Sequence, residues 1–299
     1  MILEGYYINL DRSLERRAHM EQQIQNLQLD TWIQRFDAID GRKQAPETNR
    51  EIASIQGCFL SHRLLIEQSN PESLLLVLED DVDFSPSLPA ILTADVLTHF
   101  VNSQPEVDII FLDCLAYLNR MQLLQDAAHA YMPYGKAALE KSTTERRGVP
   151  TVNIIDAHQN YAVAAAAYIV TPHGKQRLKT AFAQLQSTHA VAIDHFYAGL
   201  IQSGQLHARI FLPYLATPSV SLAQVSTLTD DARHHWSEPP EIVAGHLALR
   251  RLLFAGDCHA QELRAMVTPL LEQYGPTPER LLALEIIDAV NNWRKTRQS

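Results

Sequence analysis

Cysteine is scarce in this 299-residue chain: Cys58, Cys114 and Cys258 are widely spaced, odd in number and form no Cys-x-x-Cys pair. That pattern supports neither a disulfide framework nor a zinc site, and leaves reduced thiols in a cytoplasmic protein as the expectation. Basic charge is also short, with 25 Lys and Arg against 34 Asp and Glu, a net charge of −9 and a pI near 5.8. Nonspecific nucleic-acid binding depends on clustered cations, so no nucleic-acid partner is expected. An anionic substrate would need a local basic cluster or a metal to offset the acidic field. No apolar run approaches the ~20 residues that cross a bilayer. Met1-Ile2-Leu3-Glu4-Gly5 lacks the basic region and long apolar core of a signal peptide. Several motifs are missing as well. No Gly-x-Gly-x-x-Gly follows the first apolar run, which disfavours a dinucleotide site, and there is no P-loop, nucleophile-elbow serine or His-Glu-x-x-His.

What is present is concentrated in Leu74-Leu75-Leu76-Val77-Leu78-Glu79-Asp80-Asp81-Val82-Asp83-Phe84. An unbroken apolar run of this length, closed by Ser85-Pro86, predicts a strand buried on both faces of an α/β sheet. The acids then fall at the carboxyl end of a core strand, where open α/β sheets bind ligands. Glu79, Asp80, Asp81 and Asp83 would repel one another if all were ionised and unpaired. A divalent cation with oxygen ligands resolves that conflict; acids that cap the next helix or fan into water are the plainer alternative.

Around this stretch, Leu3 to Leu10 predicts a first strand, and Leu14, Met20, Ile24 and Leu27 an apolar helix face capped by Asp11 or Ser13. Arg12, Arg16 and Arg17 oppose the dipole at that helix start. Either they form a solvated helix start, or they receive an anion such as a diphosphate through bidentate hydrogen bonds. Trp32 to Ala38 predicts a second strand, 42–53 a polar loop, Ser54 to Gln68 a helix, Leu88 to Phe100 a helix and Val107 to Leu112 a buried strand. His62 falls on an apolar helix face, where a hydrogen-bonded core histidine is the ordinary reading. Residues 119–150 lack periodicity and predict a long excursion, of the kind that often faces substrate. Ala162 to Val170 and Arg209 to Leu212 predict further strands, and Thr171-Pro172 the cap and first turn of another helix. Asp194 stands at a loop-to-helix junction, where a plain N-cap is the simpler role. Beyond Pro239-Pro240 three amphipathic stretches follow, near 241–255, 259–273 and 278–294. The expected division is a catalytic unit over 1–238 and a helical segment over 239–299.

Tyr7-Ile8-Asn9-Leu10-Asp11-Arg12-Ser13, followed by Glu15-Arg16-Arg17, resembles the opening signature of glycosyltransferase family 25. That family includes bacterial lipooligosaccharide galactosyltransferases and, more distantly, animal collagen galactosyltransferases. The resemblance continues through Phe36-Asp37-Ala38-Ile39-Asp40-Gly41, Ile55-Gln56-Gly57-Cys58-Phe59-Leu60-Ser61-His62, Leu78-Glu79-Asp80-Asp81-Val82, Ala167-Tyr168-Ile169-Val170 and Ile193-Asp194. It implies a GT-A-like nucleotide-sugar-binding sheet flanked by helices, here with a C-terminal helical appendage, and inversion at the anomeric carbon. It also implies Mn2+ or Mg2+ on Asp81, with Asp83 completing an Asp-x-Asp. Ile8, Asn9, Arg17, Ala38 and Asp40 would contact the nucleotide, Glu79 and Asp80 the ribose or sugar, with Arg12 and Ser61 in the same donor shell. A third protein ligand expected late in the fold has Gln224, His234 and His235 as candidates. The implied partners are a UDP-sugar donor, of galactose or glucose, and a saccharide or glycolipid acceptor such as lipooligosaccharide. Peripheral contact with the inner membrane and homodimerisation through the C-terminal helices are further expectations.

Glycosyl transfer needs a stabilised leaving group and an activated acceptor hydroxyl. A metal neutralises charge on the departing diphosphate, and a carboxylate near the hydroxyl serves as general base. Inversion puts these on opposite faces of the sugar, so the base should come from a segment remote from the metal motif, a requirement Asp194 meets. Two rivals stand beside this reading: a metal-dependent phosphohydrolase, and a degenerate GT-A domain that binds partners.

Overall fold

The run Leu74–Leu78 is fully buried because it occupies the middle of a seven-stranded sheet and faces a packed layer on each side. In this computed structural model the described residues are 1–44, 49–115, 151–161, 163–185, 191–222, 250–251, 253–257, 259–276, and the isolated 281, 284 and 288. The strands are β1 (Leu3–Asn9), β2 (Ile33–Asp37), β3 (Leu74–Glu79), β4 (Val82–Phe84), β5 (Ile109–Phe111), β6 (Asn153–Asp156), β7 (Ala167–Val170), β8 (Ala208–Leu212) and β9 (Ala216–Pro218). The helices are α1 (Leu14–Asn26), α2 (Gly41–Gln44), α3 (Arg50–Gln68), α4 (Leu88–Ile91), α5 (Ala94–Ser103), α6 (Ala157–Asn160), α7 (Pro172–Gln184), α8 (Ile193–Gln202) and α9 (Ala260–Tyr274).

The main sheet runs β2-β1-β3-β7-β5-β8-β6, and β4 pairs with β9 in a separate ribbon. β2, β1, β3, β5 and β8 point one way, while β7 and β6 run against them. The carboxyl ends of five strands and the start of β7 therefore meet at one edge. Side chains alternate across β3, as strand geometry requires. Leu75 and Val77 join a core with Leu65, Ile66, Leu178, Phe182 and Ile201 from α3, α7 and α8. Leu74, Leu76 and Leu78 join another with Met20, Ile24, Leu88, Leu97 and Phe100 from α1, α4 and α5. The α/β expectation of a sheet flanked by helices is met.

Local chemistry explains the departures from the predicted elements. The stretch 42–53 is not all loop: Asp40 accepts from the Arg42 N–H at 3.2 Å to start α2, and Asn49 accepts from Glu51 at 2.8 Å to start α3. The two helices touch through glycines. A Cβ on Gly41 would lie 1.7 Å from the Ala53 carbonyl oxygen, and one on Gly57 would lie 2.6 Å from the Gly41 nitrogen. The expected helix over 88–100 is two, because Thr93 is extended and its hydroxyl accepts from Val96 at 3.2 Å, capping a new start. β6 and α6 were not expected; β6 is short and, among the described residues, an edge strand paired only with β8. At the ends of expected elements, Thr171 caps α7 as predicted, accepting from Gly174 at 3.0 Å.

The excursion at 119–150, the Pro239-Pro240 boundary and the third-ligand candidates Gln224, His234 and His235 lie outside the described residues, as do most of the stretches at 241–255 and 278–294. α9 matches the middle stretch. Within the described part of the C-terminal segment, residues 250–251 and 253–257 rejoin the core. Tyr214 pairs with Phe254 in a parallel bridge, and the Ser85 hydroxyl donates to the Ala255 carbonyl at 2.6 Å. Among the described residues no helix is long and apolar enough to cross a membrane.

Candidate active site

The carboxyl edge of the sheet gathers the acids. β3 delivers Glu79, and the chain turns through Asp80 and Asp81 into β4, which β9 pins in antiparallel register with Asp83 opposite Thr217. The Ser219 N–H donates to the Asp81 carbonyl at 2.7 Å, closing the ribbon over the turn. Four neighbouring carboxylates need counter-charge, and Arg16 from α1 supplies much of it. Its buried guanidinium lies 2.9 Å from Asp80 Oδ1 and 2.9 Å from Asp81 Oδ2. Asp80 Oδ2 accepts from Asn9 Nδ2 at 2.7 Å, and Arg35 Nε holds Asn9 Oδ1 at 2.9 Å. Asp83 is gripped on both oxygens, by His19 at 3.1 Å and Arg251 at 2.7 Å.

One oxygen is left over. Asp81 Oδ1 is buried with no hydrogen-bond partner among the described residues. Burial pushes the Asp81 carboxyl up to about 6; Arg16 opposes the shift, while Glu79 and Asp80 add to it. Asp80 is also raised by burial, against Arg16 and Asn9. Burial would raise Asp83 too, but His19 and Arg251 bring it below the usual carboxylate range. An anionic oxygen without a partner, inside a ring of paired ones, suits a cation that binds oxygen. Asp81 therefore fits the metal that the sequence implies better than Asp83 does.

The rest of the edge is also charged and hydrogen-bonded. Asp113, fully buried after β5, accepts from Thr217 Oγ1 at 2.9 Å and from Arg250 Nε at 3.1 Å. His62 Nε2 lies 3.7 Å from Glu79 Oε1, while its Nδ1 is 2.8 Å from the Tyr168 hydroxyl, itself 2.9 Å from that of Tyr197. Burial acts against ionised Glu79, yet His62, Arg16 and Arg250 hold its carboxyl below the ordinary value. Asp194 is not the N-cap of α8; Ala192 occupies that position. The Asp194 carboxylate accepts from the Ala164 N–H at 3.3 Å and the His195 N–H at 2.8 Å. Ala164 has φ of +99°, a conformation that costs an L-residue energy. Asp194 thus props a strained turn just before β7, at the same edge as Glu79, whose N–H donates to Ala166 at 2.8 Å.

The other expected donor residues scatter around this edge. Arg12 and Asp40 pair with each other. Arg17 pairs with exposed Glu21 at 2.7 Å; it is Arg16 that reaches the acids. The Ala38 N–H donates to the Asn9 carbonyl at 3.1 Å, tying the end of β2 to that of β1. Ile8 is in the core, and Ser61 is a strut: it donates to Gly57 O at 2.7 Å and accepts from Ile39 N at 2.8 Å. The sequence reading missed His19, Asp113, Arg250 and Arg251, and ranked Arg17 above Arg16. Helical spacing carried a signal for the latter, since Arg16, Met20 and Ile24 form the buried stripe of α1. Two surface clefts lie elsewhere. One is lined by Tyr7, Ile24, Ile33 and Arg35, the other by Asp156, His158 and Arg209, and neither contains the acidic edge.

Among curated proteins, none matches this chain. The family model for glycosyltransferase family 25, described as an LPS biosynthesis protein, matches residues 2–197. The matched span carries Asn9, Arg16, the acids of β3 and β4, and Asp194, whereas Arg250 and Arg251 lie beyond it. With nearly two-thirds of its length matched, the chain belongs to glycosyltransferase family 25 and is a glycosyltransferase.

Proposed function

We propose that the chain is a divalent-metal-dependent, inverting hexosyltransferase with a GT-A-type donor site, moving galactose or glucose from a UDP-sugar to a lipooligosaccharide acceptor. The observation that carries this reading is the buried Asp81 Oδ1, without a partner among the described residues, beside acids already paired with Arg16, Asn9, His19 and Arg251. Asp81 would hold Mn2+ or Mg2+, which when bound offsets charge on the departing diphosphate. Asp83 then serves as a brace for the ribbon. Asn9 and Arg16 fix Asp80 toward the donor, and Glu79 lies beside them.

Asp194 is the proposed general base. Two backbone N–H groups orient its carboxylate, and about a fifth of the side chain remains exposed, at 22%. A base must reach the acceptor proton and be free to take it. The phosphohydrolase rival needs oxygens for a two-metal clamp, but Asp80 and Asp83 are already engaged on both oxygens. The binding-module reading has no support in a chain whose family is enzymatic. Peripheral membrane contact and dimerisation through the C-terminal helices remain part of the proposal on the strength of the amphipathic pattern alone.

The test is transfer of labelled sugar from UDP-galactose and UDP-glucose to a truncated lipooligosaccharide, with Mn2+ or with excess EDTA, and anomeric analysis of the product. Metal-dependent formation of an inverted linkage is expected. Full activity in EDTA, or a retained anomeric configuration, refutes the corresponding part of the reading.

A further inference from the structure

Cys58 and His62 stand four residues apart on α3, so both project from one helix face. The end of β3 brings Glu79 against them, and Cys58 Sγ, a His62 ring nitrogen and a Glu79 carboxylate oxygen lie within 4.8 Å of one another. Nothing in the proposed transfer chemistry uses Cys58. His62 is 1% exposed, and one of its nitrogens is fixed by the Tyr168–Tyr197 hydroxyl pair, leaving Nε2 turned toward Glu79 at 3.7 Å. Metal-binding histidines characteristically have the second ring nitrogen fixed in this way. Tetrahedral bonds of about 2.0–2.3 Å place ligand atoms roughly 3.3–3.7 Å apart, so the Nε2–Oε1 separation already suits a shared ion.

We propose that Cys58, His62 and Glu79 form a binding site for a soft divalent cation, of which Zn2+ is the natural example, separate from the ion expected on Asp81. The donor set is one thiolate, one imidazole and one carboxylate, with a fourth position open to water. Thiolate and imidazole select zinc-like ions over Mn2+ or Mg2+, which prefer all-oxygen sites. The charges facing the cluster include Asp80, Asp81 and Asp194, which draw a cation in, and Arg16 and Arg250, which oppose it. Glu79, with 35% of its side chain exposed, provides the way in from the edge. As the metal–sulfur bond forms, the Cys58 thiol gives its proton to the buffer, so one proton leaves per ion bound. The inference rests on this cluster alone and does not depend on the donor or acceptor.

Co2+ is the probe, because a cobalt–thiolate bond has a charge-transfer absorption in the near ultraviolet that oxygen ligands do not produce. Purified full-length protein, reduced and stripped of metal, is titrated with Co2+ and then back-titrated with Zn2+. The expected result is a thiolate band that saturates and is displaced by Zn2+ but not by equimolar Mn2+. Cys58→Ser should abolish the band, His62→Gln should weaken Co2+ binding by about tenfold or more, and Asp81→Asn should keep the band, weakening binding only by the loss of one attracting charge. Wild-type protein that shows no band at saturating Co2+ overturns the proposal without recourse to any variant. So does a band that survives Cys58→Ser, which assigns it to another cysteine. Loss of the band in Asp81→Asn assigns the ion to the acidic turn and refutes a separate site, while leaving the transferase reading intact.

Discussion

Replacing Asp81 by Asn should make the metal-free protein more stable while removing its metal-dependent donor binding. Asp81 is ionised at neutral pH in a place that disfavours its charge, since burial lifts its carboxyl from 3.8 to about 6. The folded chain therefore holds a proton that the unfolded chain has released between those two values. Stability falls as pH rises through that window and is flat above it. At about 1.36 kcal/mol per tenfold change in acidity, the charge costs about 3 kcal/mol at pH 7.5. Asn has nearly the same shape, and its carbonyl can still face Arg16. Its amide enters the place of an unpartnered oxygen, so about 1 kcal/mol of the gain can be lost to imperfect hydrogen bonding. A net gain of about 2 kcal/mol raises the melting temperature by about 4–8 °C in a domain of this size. Calorimetry of both proteins in EDTA at pH 7.5 and pH 4 provides the measurement, with the difference shrinking at the lower pH. Adding Mn2+ and UDP-sugar should raise the wild-type transition by the mass-action term and leave the variant unmoved. A variant less stable than wild type at pH 7.5, or one still stabilised by Mn2+ with donor, would refute the assignment of Asp81.

Arg16→Ala should destabilise the fold by about 3–5 kcal/mol, because it strips a buried cation from two buried carboxylates. Arg17→Ala removes an exposed pair with Glu21 and should weaken UDP-sugar binding while hardly moving the melting temperature; unchanged UDP affinity would return Arg17 to a plain solvated role. Asp194→Asn keeps one acceptor oxygen, enough for the Ala164 or the His195 N–H but not both, so the melting temperature should drop slightly; turnover should fall by ~10²–10⁴-fold with donor affinity near wild type. Near-normal turnover would leave Asp194 as a prop for the loop before β7. A chain ending at Pro239 loses Arg250 and Arg251 and leaves fully buried Asp113 without its cation, so it should melt well below the full chain. Equal melting temperatures would make the C-terminal segment a separable appendage after all.

The sequence reveals most where one physical constraint dominates. Leu74–Leu78 reads as a central strand because burial on both faces demands an unbroken apolar run, and the acids that follow inherit their place at the carboxyl edge from it. Thr171-Pro172 is legible because its capping interactions are local. Elements governed by competing local signals were harder to place. Thr93 divides an apparently continuous apolar helix, and Asp40 and Asn49 each start a helix in a stretch whose polarity suggests loop. β6 gains its order from pairing with β8, some fifty residues later in the chain, and no pattern within β6 announces that.

The candidate site follows the same division, and its charge balance shows why. The acids are adjacent in sequence, so their clustering could be read directly. Their neutralisers come from α1, through Arg16 and His19, and from Arg251, and only Arg16 leaves a local trace, through its spacing with Met20 and Ile24. Arg250 and Arg251 lie 137 and 168 residues from the acids they meet, in a segment whose own pattern shows only an amphipathic helix. Sequence can therefore locate a concentration of negative charge, but it cannot say which carboxylates fold already paired. That distinction separates Asp83, held on both oxygens, from Asp81, which keeps one oxygen buried with no partner among the described residues. Burying that oxygen without a partner weakens the fold, and a bound cation would recover the loss. Structural need and metal affinity thus fall on the same atom, which is why stability in EDTA and donor binding in Mn2+ should respond in opposite directions to its removal.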